Sequence, residues 1–140
     1  MGANPETTFI RSIHAHLKGK VFFQKMCNPF ISGIPDVWYS GPKNDLWVEY
    51  KYIHSVPKRA TVLPNLSERQ KVWLNDRLRE GRNVAVILGV PNGGVLYRNK
   101  EWMEALQPGA FEARVQSRKE LAQWIQDQVR SPGDDYETPF

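Results

Sequence analysis

The chain has 140 residues, which is room for one domain with a real core but not for separate binding and catalytic domains. Its single cysteine, Cys27, excludes an internal disulfide and a multi-cysteine zinc site, and no membrane-length apolar run or signal segment is visible, so a reducing, cytoplasmic setting is expected. Residues 1 to 119 hold 18 Lys and Arg against 10 Asp and Glu, while residues 120 to 140 hold 1 against 5, so a basic body suited to a polyanion precedes an acidic tail.

At the start of the chain Asn4 is a good N-cap and Pro5 suits the first helical position, which predicts a helix from Pro5 to about Lys18, ended by Gly19. Its apolar stripe is Phe9, Ile10, Ile13 and Leu17. Glu6 falls on that stripe, four residues before Ile10 and seven before Ile13, so its carboxylate should point inward; alternatively it is a first-turn acid that suits the helix dipole. Residues 21 to 24, Val-Phe-Phe-Gln, read as a first strand, and Cys27 to Gly33 as a loop.

The next stretch breaks its own apolar pattern. Residues 33 to 40 read Gly-Ile-Pro-Asp-Val-Trp-Tyr-Ser, the turn material Gly41-Pro42-Lys43-Asn44 follows, and Asp45 to Ile53 complete a hairpin that carries Asp36, Glu49 and Lys51 among Val, Trp, Tyr and Ile. Burying three charges there costs several kcal/mol unless they compensate one another or bind an ion. Strand alternation sends Glu49 and Lys51 to one side, roughly 6.5 to 7 Å apart along the backbone, and the turn can bring Asp36 beside Glu49. Two carboxylates with the Tyr50 carbonyl offer oxygen ligands for Mg²⁺, with Mn²⁺ as a substitute, and Lys51 can hold an attacking water or steady charge building on a phosphate. This is chemistry for cutting phosphodiesters.

Pro35-Asp36 followed after a hairpin-length gap by Glu49-Tyr50-Lys51 resembles the signature of the PD-(D/E)XK nuclease superfamily, which includes restriction enzymes, archaeal Holliday junction resolvases and phage endonucleases acting on branched DNA. The resemblance covers about residues 4 to 98. It implies an α/β, restriction-endonuclease-like α-β-β-β-α-β core, with a central mixed sheet flanked by helices. The wider run from Asn28 to Trp38 looks more like small phage-encoded, resolvase-type nucleases than like restriction enzymes. Resolvase-like members keep an extra active-site acid where Glu6 stands, and several members carry a glutamine on the helix after the Glu-x-Lys strand, where Gln70 stands.

Residues 54 to 66, with prolines at 57 and 64, read as a loop in which Lys58 and Arg59 are candidate DNA contacts or solvated charges. Ser67 starts a helix through about Glu80, closed by Gly81. Ser67 with Gln70 forms a capping box, which accounts for that glutamine without any catalytic role. Arg69 and Lys71, at the helix end nearest the candidate site, are further DNA-contact candidates, whereas Arg77 and Arg79 read as solvated surface. Val84 to Val90 is a continuous apolar run that predicts a strand buried on both faces, turned by Pro91 to Gly94 into Val95 to Arg98. Ser117 to Val129 predicts a last amphipathic helix, and residues 130 to 140 a disordered acidic tail beyond a single domain, 1 to 129.

The histidines do not compete with this reading. His14 and His16 fall on different helix faces, and His54 lies past the strand end, so no cluster for an HNH or zinc nuclease exists. Trp38, Trp47 and Trp73 fall inside predicted elements and fit core packing better than a base-stacking platform. The resulting expectation is a phage-type, metal-dependent endonuclease acting as a homodimer on branched DNA, with no small-molecule cofactor and no membrane partner. The alternatives are a less selective nuclease that nicks or degrades duplex DNA and a non-catalytic DNA-binding module on the same fold.

Overall fold

Five strands form one mixed sheet whose spatial order follows the chain: β1 (Phe22–Lys25), β2 (Val37–Ser40), β3 (Asp45–Tyr52), β4 (Val84–Val90) and β5 (Gly93–Tyr97). The computed structural model describes residues 4 to 27 and 30 to 134. All neighbouring strands are antiparallel except β3 and β4, which run parallel because α2 (Glu68–Arg79) carries the chain back between them. Helices α1 (Pro5–His14) and α4 (Arg118–Val129) cover one face, building a core with Phe9, Ile13, Tyr50 and Ile87. On the other face α2, a 3-10 turn (Glu101–Met103) and α3 (Pro108–Ala113) enclose a second core with Leu74, Leu88, Trp102 and Phe111. This is the expected α/β architecture, with a central mixed sheet between helices.

The parallel pairing explains the unbroken apolar run. Every residue of β4 is buried, because it lies inside the sheet with a hydrophobic core on each face. The three predicted helices are present and capped: Asn4 accepts from the Glu6 amide, and Ser67 and Ser117 each close a capping box with the residue three positions on.

Several boundaries differ from the pattern reading. Regular α-helix stops at His14 rather than near Lys18, since the amides of His16 and Leu17 turn to carbonyls three residues back and tighten the chain toward Gly19, although Leu17 stays fully buried. The first strand begins at Phe22, because the Val21 amide is taken by Leu17. β5 begins at Gly93 rather than Val95, leaving only Pro91 and Asn92 to make the turn; Gly94 sits where a Cβ would meet Phe9, Leu121 and the Leu88 carbonyl. The 3-10 turn and α3 carry no strong periodic signal, being short and anchored by single aromatics, Trp102 and Phe111. Residues 54 to 66 form the expected loop, pinned by one bridge between Val62 and Leu106. In the predicted tail, residues 130 to 134 form a turn in which Arg130 bonds the carbonyls of Lys20 and Asp134; residues 135 to 140 lie outside the described residues, as do Asn28 and Pro29 of the motif run. Among the described residues no helix is long and apolar enough to cross a membrane.

The loop that delivers the chain into β2 is held against α2. Gly33 has φ +95°, and a Cβ there would lie 2.8 Å from the Arg69 carbonyl oxygen, closer than real Cβ atoms come. Arg69 answers by donating from its guanidinium to Ser32 Oγ at 2.7 Å. Gly33→Ala is therefore expected to cost about 1–3 kcal/mol of unfolding free energy, from the left-handed strain and the pushed backbone together. Chemical denaturation measures this, and an unchanged midpoint means the loop does not need the close approach.

Candidate active site

Alternation along β3 divides the hairpin's side chains between the two faces. Tyr50 points into the core under α1 and α4, while Glu49 and Lys51 point to the α2 side. Asp36 directly precedes β2, and extending the register Val37 to Val48 by one step sets it opposite Glu49. Its Oδ2 accepts the Tyr50 amide at 2.8 Å, so a side chain replaces the ladder where the β2–β3 pairing ends. Even-numbered residues of β3 turn their backbone groups toward β2 and odd-numbered ones toward β4, as the Trp47 and Ile53 amides show, so the Tyr50 carbonyl lies on the Asp36 side.

Glu49 is the most constrained residue of this group, with only 2% of its surface exposed. Its Oε2 accepts from Gln70 Nε2 at 3.0 Å and pairs with Lys51 Nζ at 3.6 Å, while Oε1 is buried without a hydrogen-bond partner. Burial, and then the negative charge and carboxyl contact of Asp36, push its pKa up to about 9, against the opposing pull of Lys51. An ionised carboxylate cannot donate a hydrogen bond, so a proton on Glu49 or a cation beside it would supply what Oε1 lacks. Glu6 joins from the first turn of α1, its pKa raised by burial and then by Asp36, with Lys51 and Lys25 opposing.

Gln70 unites the two readings of its position. Its Oε1 accepts the Ser67 amide at 2.9 Å to close the capping box, which fixes the amide orientation and turns Nε2 onto Glu49. The helix cap and the carboxylate's orientation thus depend on one side chain. Among the described residues no group of three His, Cys, Asp or Glu side chains is placed to hold a metal ion; the oxygen atoms gathered at the hairpin are those of Asp36, Glu49 and the Tyr50 carbonyl. Of the candidate DNA contacts, Lys58 and Arg59 are exposed on the loop after β3, Arg69 is engaged with Ser32, and Lys71 pairs with Glu68 at 3.1 Å.

Beneath the carboxylates runs a polar chain that pattern reading missed. His14 Nε2 lies 2.8 Å from the Tyr39 hydroxyl, which lies 2.5 Å from the Tyr50 hydroxyl, all within the α1–α4 core. Burial lowers the His14 pKa to about 4, so the ring is neutral, and raises both tyrosines. The available signal was inward-facing Tyr39 and Tyr50, since buried tyrosine hydroxyls need partners and His14 follows Ile13 on the buried side of α1.

No protein-family model matches the chain, and no curated protein sequence matches it. Among solved structures, a Holliday junction resolvase from the archaeal hyperthermophile Archaeoglobus fulgidus superposes with a TM-score of 0.53, covering 85% of this chain and 98% of its own, at 14% identity. The fold is resolvase-like. At that identity the likeness concerns the fold, and the site must be argued from its own residues.

The raised Glu49 pKa has a definite sign in stability. Folding binds a proton that the unfolded chain, with a carboxyl near 4.5, releases above that pH, so Glu49's contribution is complete below about pH 4.5 and fades as pH rises toward 9. Without divalent ions the protein should lose stability across that window, by at most about 1.4 kcal/mol per pH unit from this group. Glu49→Gln, which keeps an acceptor for Gln70, should flatten the slope. Urea midpoints at pH 6 and 8.5 for both proteins read this out, and equal slopes would place the burden elsewhere.

Proposed function

We propose that this chain is a metal-dependent endonuclease that hydrolyses phosphodiester bonds in branched DNA. The observation that carries the reading is the convergence of Asp36, Glu49 and Lys51 at the end of the β2–β3 pairing, on a sheet with the resolvase fold. The buried, unpartnered Glu49 Oε1 fits a hard cation, since a carboxylate pair too close to ionise freely gains most from a divalent charge.

Asp36, Glu49 and the Tyr50 carbonyl are the groups that would hold Mg²⁺, or Mn²⁺ in its place. When bound, the ion neutralises charge on the scissile phosphate and favours deprotonation of a nearby water. The protein's own groups do the rest. Gln70 keeps Glu49 in one orientation, so that no reorganisation is needed when substrate arrives. Lys51, 24% exposed at its side chain and leaning on Glu49, reaches outward to orient the water or to steady the oxygens of the pentacoordinate phosphorus. One P–O bond forms to the water oxygen as another breaks to a deoxyribose oxygen, which takes a proton from solvent. Glu6 adds a carboxyl on the α1 side that can accept the water's proton. Lys58, Arg59, Arg69 and Lys71 would contribute backbone contacts to the DNA. Since one chain carries one site and resolving a junction takes two cuts, the proposal includes a homodimer.

The experiment uses labelled four-way, nicked and linear DNA with Mg²⁺. Asp36→Ala and Lys51→Ala should each lose at least about a hundredfold in cleavage rate, the scale of a lost positioned electrostatic group. Binding without metal should diverge: Asp36→Ala sheds a negative charge and holds DNA at least as well as wild type, whereas Lys51→Ala holds it no tighter. Near wild-type cutting by either folded variant, or full cleavage in EDTA, contradicts the proposal.

A further inference from the structure

The α2 side of the sheet is not fully covered. Over β1 and β2 an aromatic row remains partly exposed: Phe22 lies edge-on to Trp38 at 5.6 Å, Trp38 stacks on Trp47 at 6.0 Å and 25°, and Trp47 meets Trp73 of α2 at 5.4 Å. Trp47 and Trp73 touch the second core, but Phe22 and Trp38 belong to neither core. Core packing holds for Trp47 and Trp73, which pack against the second core; Trp38 lies inside its strand, as expected, but outside both cores.

The row has a definite place relative to the carboxylates. Trp38 and Trp47 are a cross-strand pair two residues from Asp36 and Glu49 on the same face, one step of the pleat or about 7 Å away. Beside it, Trp73 and Val72 line an apolar groove of about 330 Å³ between α2 and Ser32, edged by Arg69 and Arg77 and by the acids Glu68 and Asp76, with the Arg77 guanidinium 5.7 Å from the Trp73 ring centre. The two acids balance the two arginines, so what the surface offers a strand held at the candidate phosphate site is its aromatic rings, on which nucleic-acid bases stack whatever their sequence.

We propose that Trp38, Trp47 and Trp73 form a stacking platform for one or two unpaired bases of the DNA strand whose phosphate lies at Asp36 and Glu49. The inference rests on the nuclease reading of that site and adds a substrate feature to it. Size selects the occupant. Three partly exposed rings, each of roughly 150–250 Å², leave at most on the order of 200 Å² open, far below the roughly 800 Å² per partner that a stable protein interface buries. Bases in continuous duplex hide their faces in the stack, whereas bases at a branch or in a single strand can present theirs. The platform therefore favours DNA that is unpaired next to the cut.

The test separates this platform from the nuclease reading by measuring binding apart from cleavage. Wild-type protein is titrated without metal with an oligothymidine and with an abasic strand of the same length and charge, following tryptophan fluorescence. The oligothymidine should bind at least about fivefold tighter and quench the fluorescence, the smaller end of what one stacked base contributes. Trp73→Leu, with its fold checked by circular dichroism, should erase that preference, and Trp73→Phe should retain most of it. Equal affinity of the wild type for both strands overturns the platform whether or not the variant folds. So does a Trp73→Leu protein that keeps the preference, or one whose only change is dissociation of a dimer, which would assign the row to a second copy of the chain. Junction cleavage by wild type with Mg²⁺ is scored in parallel: a base preference without cleavage retires the nuclease reading and supports the platform, and cleavage without a base preference retires the platform alone.

Discussion

A carboxylate held at 2% exposure beside a second carboxylate is the constraint from which the local architecture follows. Glu49 cannot be neutralised by water, and Lys51 at 3.6 Å offsets only part of its charge. The remaining demand is met by a proton or a cation, and the surrounding elements are set to keep that demand in place. β3 runs past the end of β2 so that Asp36 faces Glu49, and α2 begins where Gln70 reaches Oε2. In an apolar core of the same shape, a leucine at position 49 would be cheaper. Retaining the charge makes sense where a divalent ion supplies its stabilisation.

The same residues carry both fold and site. Asp36 completes the β3 ladder by accepting the Tyr50 amide, and Gln70 closes the α2 capping box while orienting Glu49. Behind them, neutral His14 and the two tyrosine hydroxyls satisfy one another, which lets β3 present polar groups on one face and a dry core on the other. Substitutions at Asp36 or Gln70 therefore disturb packing and chemistry together, and rates of such variants are interpretable only beside a measure of folding. Lys51 is the cleaner probe, since among the described residues its ammonium makes one ion pair and its side chain is partly solvent-exposed.

Much of this was legible in the sequence because it depends on local rules. Alternation alone put Glu49 and Lys51 on one side, capping chemistry placed the starts of α1 and α2, amphipathic spacing placed α4, and the apolar run at 84 to 90 announced a strand covered on both faces. What escaped depends on contacts between distant segments. The aromatic row exists because β1, β2, β3 and α2 bring Phe22, Trp38, Trp47 and Trp73 together along one face of the sheet. The His14–Tyr39–Tyr50 chain joins residues from three elements, and α3 is too short for its periodicity to register. Gln70 shows why a motif alone was ambiguous: both proposed roles were physically sound, and one amide group has two ends to perform them.

The central proposal is that buried Glu49 holds a proton which a divalent cation would displace. Calorimetric titration with Mg²⁺ or Mn²⁺ at pH 7, repeated in buffers of different ionisation enthalpy, counts protons released per ion bound. With Glu49 titrating near 9, the wild type should release close to one proton per ion, and Glu49→Gln should bind more weakly and release essentially none. Binding with no proton release by the wild type, or unaltered binding and release by Glu49→Gln, would contradict the account.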